Sequence, residues 1–220
     1  TGTANITVQT GTSAPVQAGM IEIKPDNSTM MVNASNFTVT KAPVIANGAN
    51  KATYHLKVTD KKGNVVPATA VEWLSNIGTF IQGSTTTTDA NGETFVELVS
   101  TKAEEAKVTA RVGGKPYTAD VVTFIADRQS AKIMLMPMSK KIAAANGVDS
   151  ITLNAKITDA NGNPIKNEKT NWDAPGHQVS FDPITGSTFT NDLGETQITL
   201  TSAAIGDVTI RGVTMPLIIP

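Results

Sequence analysis

The sequence predicts an all-β protein of tandem Greek-key β-sandwiches arranged end to end. One pattern occurs twice at a spacing of roughly 100 residues, its apolar residues alternate with period two, and Gly-containing turn pairs separate the alternating segments. No helical period of useful length competes with this reading, since 102–107 and 142–145 offer at most one turn each.

The repeat can be followed residue by residue. In the first copy Asn47-Gly48 precedes Ala52-Thr-Tyr54-His-Leu56-Lys-Val58-Thr-Asp60 and then Lys61-Lys62-Gly63-Asn64. In the second, Asn146-Gly147 precedes Ile151-Thr-Leu153-Asn-Ala155-Lys-Ile157-Thr-Asp159 and then Ala160-Asn161-Gly162-Asn163. Asp159 follows Asp60, and Trp172 follows Trp73, by one shift (159 − 60 = 172 − 73 = 99). Thr88-Asp-Ala-Asn-Gly92-Glu93-Thr94 is matched by Thr190-Asn-Asp-Leu-Gly194-Glu195-Thr196, and Val108-Thr-Ala110-Arg111 by Val208-Thr-Ile210-Arg211. Two homologous domains are expected, over residues 26–127 and 128–220. Residues 1–25 fit the C-terminal strands of a preceding repeat. Ala4-Asn-Ile6-Thr-Val8 aligns with Val108–Val112, and Met20-Ile21-Glu22-Ile23 with Val122-Thr-Phe124-Ile125.

Strands follow from the alternation. Ala52, Tyr54, Leu56 and Val58 share one face, as do Ile151, Leu153, Ala155 and Ile157, because a strand sends alternate side chains to opposite sides. Val96 and Leu98 match Ile198 and Leu200, while Phe95 breaks the pattern. Gly63-Asn64, Asn91-Gly92, Asn161-Gly162 and Leu193-Gly194 supply the positive φ of tight turns, and Asp60 and Asp159 can accept backbone N–H bonds just ahead of theirs. Many short strands in units of about 100 residues indicate immunoglobulin-like sandwiches. Trp73 and Trp172 sit where such a sandwich keeps its core Trp and are expected to be structural core.

Composition excludes several functions. The 220 residues carry 18 Lys+Arg against 19 Asp+Glu, so no basic surplus exists to hold a nucleic acid. No apolar run reaches the ~18 residues that span a bilayer, and no membrane insertion by this segment is expected. There is no cysteine, which removes disulfides, thiolate zinc sites and cysteine nucleophiles, and leaves both a reduced cytosol and export open as compartments.

Chemistry-bearing patterns are also lacking. His55 lies on the polar face of its strand and His177 in a loop, neither with a ligand at metal spacing. In Asp159-Ala-Asn161-Gly162-Asn163 the Gly is fourth, where a calcium loop of the EF type needs it sixth, so turn chemistry explains the pattern. Asp26, Asp127 and Asp149 form no cluster in sequence. No nucleophile elbow or phosphate loop is present. The expectation is no enzyme, no metal and no cofactor. The copies differ in one loop: Trp172 to Gly194 spans 22 positions (194 − 172) and Trp73 to Gly92 spans 19 (92 − 73). Pro175, His177, Phe181 and Asp182 in the longer loop are the candidate binding residues, since loops on a rigid scaffold often carry recognition.

Asn-Gly before the strand, Asp-x-x-Gly-Asn after it and Thr-Asp-x-x-Gly-Glu-Thr later resemble the bacterial Ig-like domain group 1. The second copy departs with Asn191 in the Asp position. The resemblance covers nearly all of both repeats. It implies an extracellular or cell-surface location, neighbouring Ig-like domains in one chain, and a protein partner on a host or bacterial cell, as in intimin- and invasin-type adhesins. It equally allows a pure spacer, or a secreted plasmid-borne protein of cell–cell contact. The lectin-like tip of the best-known members is absent, and Gly212-Val-Thr-Met-Pro216-Leu-Ile-Ile-Pro220 stands where a closing strand belongs.

Overall fold

The structure, a computed structural model, describes residues 2–39 and 43–214. Residues 215–220 of the expected closing strand lie outside the described residues. The chain divides into two compact units, Thr1–Val44 with Gly48–Ser100 and Glu104–Phe124, and Ile45–Asn47 with Thr101–Ala103 and Ile125–Pro220. Among the described residues every regular element longer than three residues is a strand, and only three short 3-10 turns interrupt them.

The first unit opens with a hairpin of β1 (Gly2–Val8) and β2 (Val16–Ile23), paired from Gly2↔Ile23 to Val8↔Val16. Every residue of both strands is exposed. The sandwich then runs through β3 (Phe37–Val39), β4 (Val44–Ile45), β5 (Ala52–Lys57), β6 (Ala70–Ser75), β7 (Thr79–Phe80), β8 (Thr85–Thr87), β9 (Glu93–Val99), β10 (Glu105–Ala106), β11 (Val108–Val112), β12 (Lys115–Thr118) and β13 (Val122–Ile125). One sheet is ordered β3-β5-β9-β7, a second β12-β11-β6-β8, and a third β10-β13-β4. Tyr54, Leu56, Val96 and Leu98 from the first are buried with Val71, Trp73, Val108 and Ala110 from the second, which is the face the period-two pattern assigns them.

The second unit repeats this plan with β14 (Lys132–Leu135), β15 (Ser150–Thr158), β16 (Lys169–Asp173), β17 (Ser180–Asp182), β18 (Ser187–Phe189), β19 (Glu195–Thr201) and β20 (Arg211–Thr214). Its sheets are ordered β14-β15-β19-β17 and β18-β16-β20. Leu153, Ala155, Trp172, Ile198 and Leu200 form its buried cluster, with Ile133, Phe181 and Ile210 packed against it.

The shared motif residues make the same side-chain hydrogen bonds in each copy. The Trp73 indole N–H donates to Thr86 Oγ1 at 2.8 Å, and Thr94 Oγ1 donates to the same oxygen. Trp172, Thr188 and Thr196 repeat the arrangement. Buried Thr88 accepts from Thr69 N and donates to Val66 O, and Thr190 does the same with Glu168 N and Ile165 O. Asp89 Oδ1 accepts from Asn91 N and Glu93 N, and Asn191 Oδ1 from Leu193 N and Glu195 N. The turn needs an oxygen acceptor and no charge, so the Asn of the second copy costs it nothing.

Asp60 does more than terminate its strand. Its Oδ1 accepts from Lys62 N and Asn64 N, while Oδ2 accepts from Asn64 Nδ2 and from Asp26 N, 34 residues upstream. Asp159 ties Asp127 N, Asn161 N and Asn163 in the same way. The side-chain bond from Asn64, helped by the backbone donors and opposed by desolvation, holds the Asp60 carboxyl at about 2 against an ordinary 3.8. A carboxyl with a lowered folded pKa stabilises fully above its unfolded value and loses that contribution as pH falls through the folded one. Unfolding of the native chain should therefore steepen between pH ~4 and ~2 relative to Asp60→Asn. Acid titration of the circular dichroism signal measures this, and parallel curves would mean that Asp60 titrates alike in both states.

Candidate functional site

Two exposed regions differ between the copies. The first is the long loop of the second unit, between β16 and β18. Trp172 N donates to Gly186 O at 2.7 Å and Ser187 Oγ to Asn171 Oδ1, which fix the loop's return. His177 N bonds Ala174 O, closing a turn on which Pro175 and His177 are exposed. Asp182 is exposed as well, and Ile184 is 91% exposed. Phe181 lies elsewhere in character: it sits on β17 opposite Leu200, half-buried against the core cluster. The loop thus presents Pro175, His177 and Asp182 to solvent but spends Phe181 on packing. Alternation along Ser180–Asp182, not loop membership, decides which way that ring goes.

In the first unit the shorter counterpart is tied down. Asn76 Nδ2 donates to Glu105 O and Asn76 Oδ1 accepts from Lys107 N, while Ile77 is buried. Farther along it, Ile81 is exposed.

The second region is the outer face of β5 and β9. His55 stands opposite Phe95, their ring centroids 5.8 Å apart and tilted by 32°. Phe95 is 48% exposed and nearby Ile81 is also exposed. Polar pairs frame the rings. Lys51 Nζ lies 3.0 Å from Glu97 Oε2, Gln82 Nε2 donates to the same oxygen, and Lys57 Nζ lies 2.9 Å from Glu93 Oε1. The hydrogen bond from Lys51 is the largest cause lowering the Glu97 pKa, so its charge persists below the usual carboxylate range. An apolar centre inside a charged rim is the anatomy of a protein-binding patch. The second copy places Asn154 opposite Gln197 at these positions and has no such rings. The residue that broke the period-two pattern, Phe95, was the signal for this face.

Among the described residues no group of three or more His, Cys, Asp or Glu side chains could hold a metal ion. The buried carboxylate of Glu168 lies 3.5 Å from the Arg128 guanidinium.

Comparison with known proteins agrees with this architecture. The family model for the bacterial Ig-like domain (group 1) matches residues 34–125 and 133–215. The chain is 32% identical over 182 residues to the inverse autotransporter adhesin YeeJ of Escherichia coli K12, covering 77% of this chain and 7% of YeeJ. It is 30% identical over 154 residues to intimin of Escherichia coli O111:H-, covering 68% of this chain and 15% of intimin. The chain therefore spans a small part of the length of either relative. Among solved structures, Yersinia pseudotuberculosis InvD shares the fold with a TM-score of 0.54 and 20% identity, over 83% of this chain and 53% of that one. Two matched stretches with shared turn, Trp and Thr motifs leave one assignment: the chain belongs to the bacterial Ig-like domain (group 1) family.

Proposed function

We propose that this chain is a non-enzymatic, cell-surface recognition module that acts in bacterial adhesion within a longer series of Ig-like domains. The observation that carries the reading is the 32% identity to a protein named as an adhesin, sustained over 77% of the chain. Its location would be outside the bacterial cell, anchored or secreted, and its partner a protein on a host or bacterial surface. The β5/β9 face with His55 and Phe95 supplies the central contact, because exposed aromatic groups inside a polar rim are the usual energetic centre of a protein interface. The loop bearing Pro175, His177 and Asp182 supplies a second contact surface. Residues 1–25 are read as the closing strands of a preceding repeat, ahead of domains over 26–127 and 128–220.

Binding of the fluorescently labelled chain to intact host and bacterial cells tests this. Saturable binding should fall by roughly tenfold or more in Phe95→Ala, in line with loss of an interface anchor, while the fold is retained. Replacing residues 173–186 by the shorter loop of the first copy should weaken it less. Binding to no cell type would favour a spacer, and binding indifferent to both changes would remove these surfaces from the account.

A further inference from the structure

The second unit carries different chemistry on the strands that correspond to β5 and β9. Asn154 of β15 stands opposite Gln197 of β19, where the first copy sets His55 against Phe95. Counted from the shared Thr (190 − 88 = 102), Phe189 takes the place of Thr87, and its ring is 63% exposed. Met136 N donates to Asn154 O at 2.8 Å, which brings Met136 and Pro137 alongside. Between Phe189, Gln197, Asn154 and Met136 lies a cleft of about 490 Å³, also lined by Asn191 and Glu195. Clefts of that size hold small molecules.

The polar groups of this cleft keep their hydrogen-bonding capacity. In the first copy Glu93 is held by Lys57, and Glu97 by Lys51 and Gln82. In the second, the Gln197 amide has no partner among the described residues. Asn191 Oδ1 accepts from Leu193 N and Glu195 N, which leaves its amino group to donate outward. Asn154 Nδ2 donates to Pro137 O at 3.3 Å, which leaves Oδ1 to accept. Glu195 Oε1 lies 3.9 Å from Lys156 Nζ, beyond hydrogen-bond reach.

This set of groups selects its ligand by chemistry. Amide side chains both donate and accept, as the hydroxyls of a sugar do. A pyranose ring also has a face of polarised C–H bonds, which the negative face of an exposed aromatic ring attracts. Phosphates and other anions are disfavoured, because the lining holds the Glu195 carboxylate and no cation. An extended peptide adds to a sheet through a free backbone edge. Here β15 is paired on both sides, by β14 and β19, and β19 by β15 and β17, so side chains alone are on offer.

We propose that the cleft between Phe189 and the Asn154–Gln197 pair binds a neutral pyranoside. Phe189 stacks on the C–H face of the sugar. Asn191 and Gln197 donate to its hydroxyl oxygens, while Asn154 and Glu195 accept from its hydroxyl protons. The site shares no residue with the β5/β9 face of the first unit or with the loop over residues 173–186. It stands whether or not those surfaces bind a protein.

Titration of the isotope-labelled chain with the methyl pyranosides of glucose, galactose, mannose and N-acetylglucosamine, followed by amide NMR, tests the site. At least one should give saturable shifts in the side-chain amides of Asn154, Asn191 and Gln197, and N-acetylneuraminic acid, an anion, should give none. Phe189→Ala and Gln197→Ala should each raise Kd by roughly fivefold or more, the loss expected for one stacking or hydrogen-bonding contact. Both positions are exposed, so the backbone spectrum away from the cleft should be unchanged. The titration uses no cells, so its outcome is separate from that of the adhesion reading. No saturable shift with any of the neutral sugars would overturn the proposal. So would a Kd that both variants leave unaltered, or N-acetylneuraminic acid binding as tightly as the neutral sugars.

Discussion

Trp73→Ala should be among the most destabilising single substitutions in the first unit, by ~3–5 kcal/mol, the range for removing a large aromatic side chain from a packed core. The indole is 2% exposed. It meets Phe37 edge-on at 5.9 Å and Phe80 at 6.4 Å, and its N–H is held by Thr86. No neighbouring strand can collapse into the space without breaking its own ladder, so the cavity term adds to the lost transfer energy. Trp73→Phe separates the parts. It keeps a ring and leaves Thr86 bonded to Thr94, so it should cost less than the alanine. Native-state hydrogen exchange at β5, β6 and β9 amides measures the first unit by itself, which avoids treating the whole chain as one two-state transition. A loss below ~1 kcal/mol for Trp73→Ala would remove the indole from its central place in that core.

Gly194→Ala should damage the second unit nearly as much. Gly194 has φ of +73°, and a Cβ there would lie 2.4 Å from Ile157 O and 3.3 Å from Ile165 N. Both are backbone atoms of packed segments, and Gly194 O also accepts the Ile157 N–H at 2.7 Å. Left-handed backbone in a residue with a Cβ costs ~1–3 kcal/mol, and relieving the contact must loosen β15 as well. Gly162→Ala is the matched control. Its φ of +85° imposes the same kind of backbone cost, but nothing lies within 4 Å of its Cβ. Urea unfolding should place Gly194→Ala well below Gly162→Ala in stability. Equal losses would mean that only the backbone conformation, and not the close approach to β15, makes this position glycine.

Much of the fold was legible because strand periodicity is local. The alternating positions of 52–58 and 151–157 name the buried faces without any partner strand in view, and the Gly and Asn pairs name the turns. The local half of the Asp60 bonding was readable for the same reason: Lys62 N and Asn64 N lie two and four residues away. Its other half, the bond from Asp26 N, spans 34 residues, and no spacing rule predicts it.

The candidate surfaces were legible only in part. Pro175, His177 and Asp182 are exposed on the long loop, but Phe181 is drawn onto the core because β17 pairs with β19 in that register. His55 and Phe95 lie 40 residues apart in sequence (95 − 55), and only the antiparallel pairing of β5 and β9 sets one ring against the other.

By itself, then, the sequence determined the all-β class, the twofold repeat, the buried face of each long strand and the motif positions, since each depends on side-chain alternation or turn geometry within a few residues. Only the tertiary structure decided which partners the Trp, Thr and turn residues bond, that Phe181 packs inward, and that His55 and Phe95 share one face. Those depend on which strands lie side by side, and the free energy of that choice comes from contacts between residues far apart in the chain.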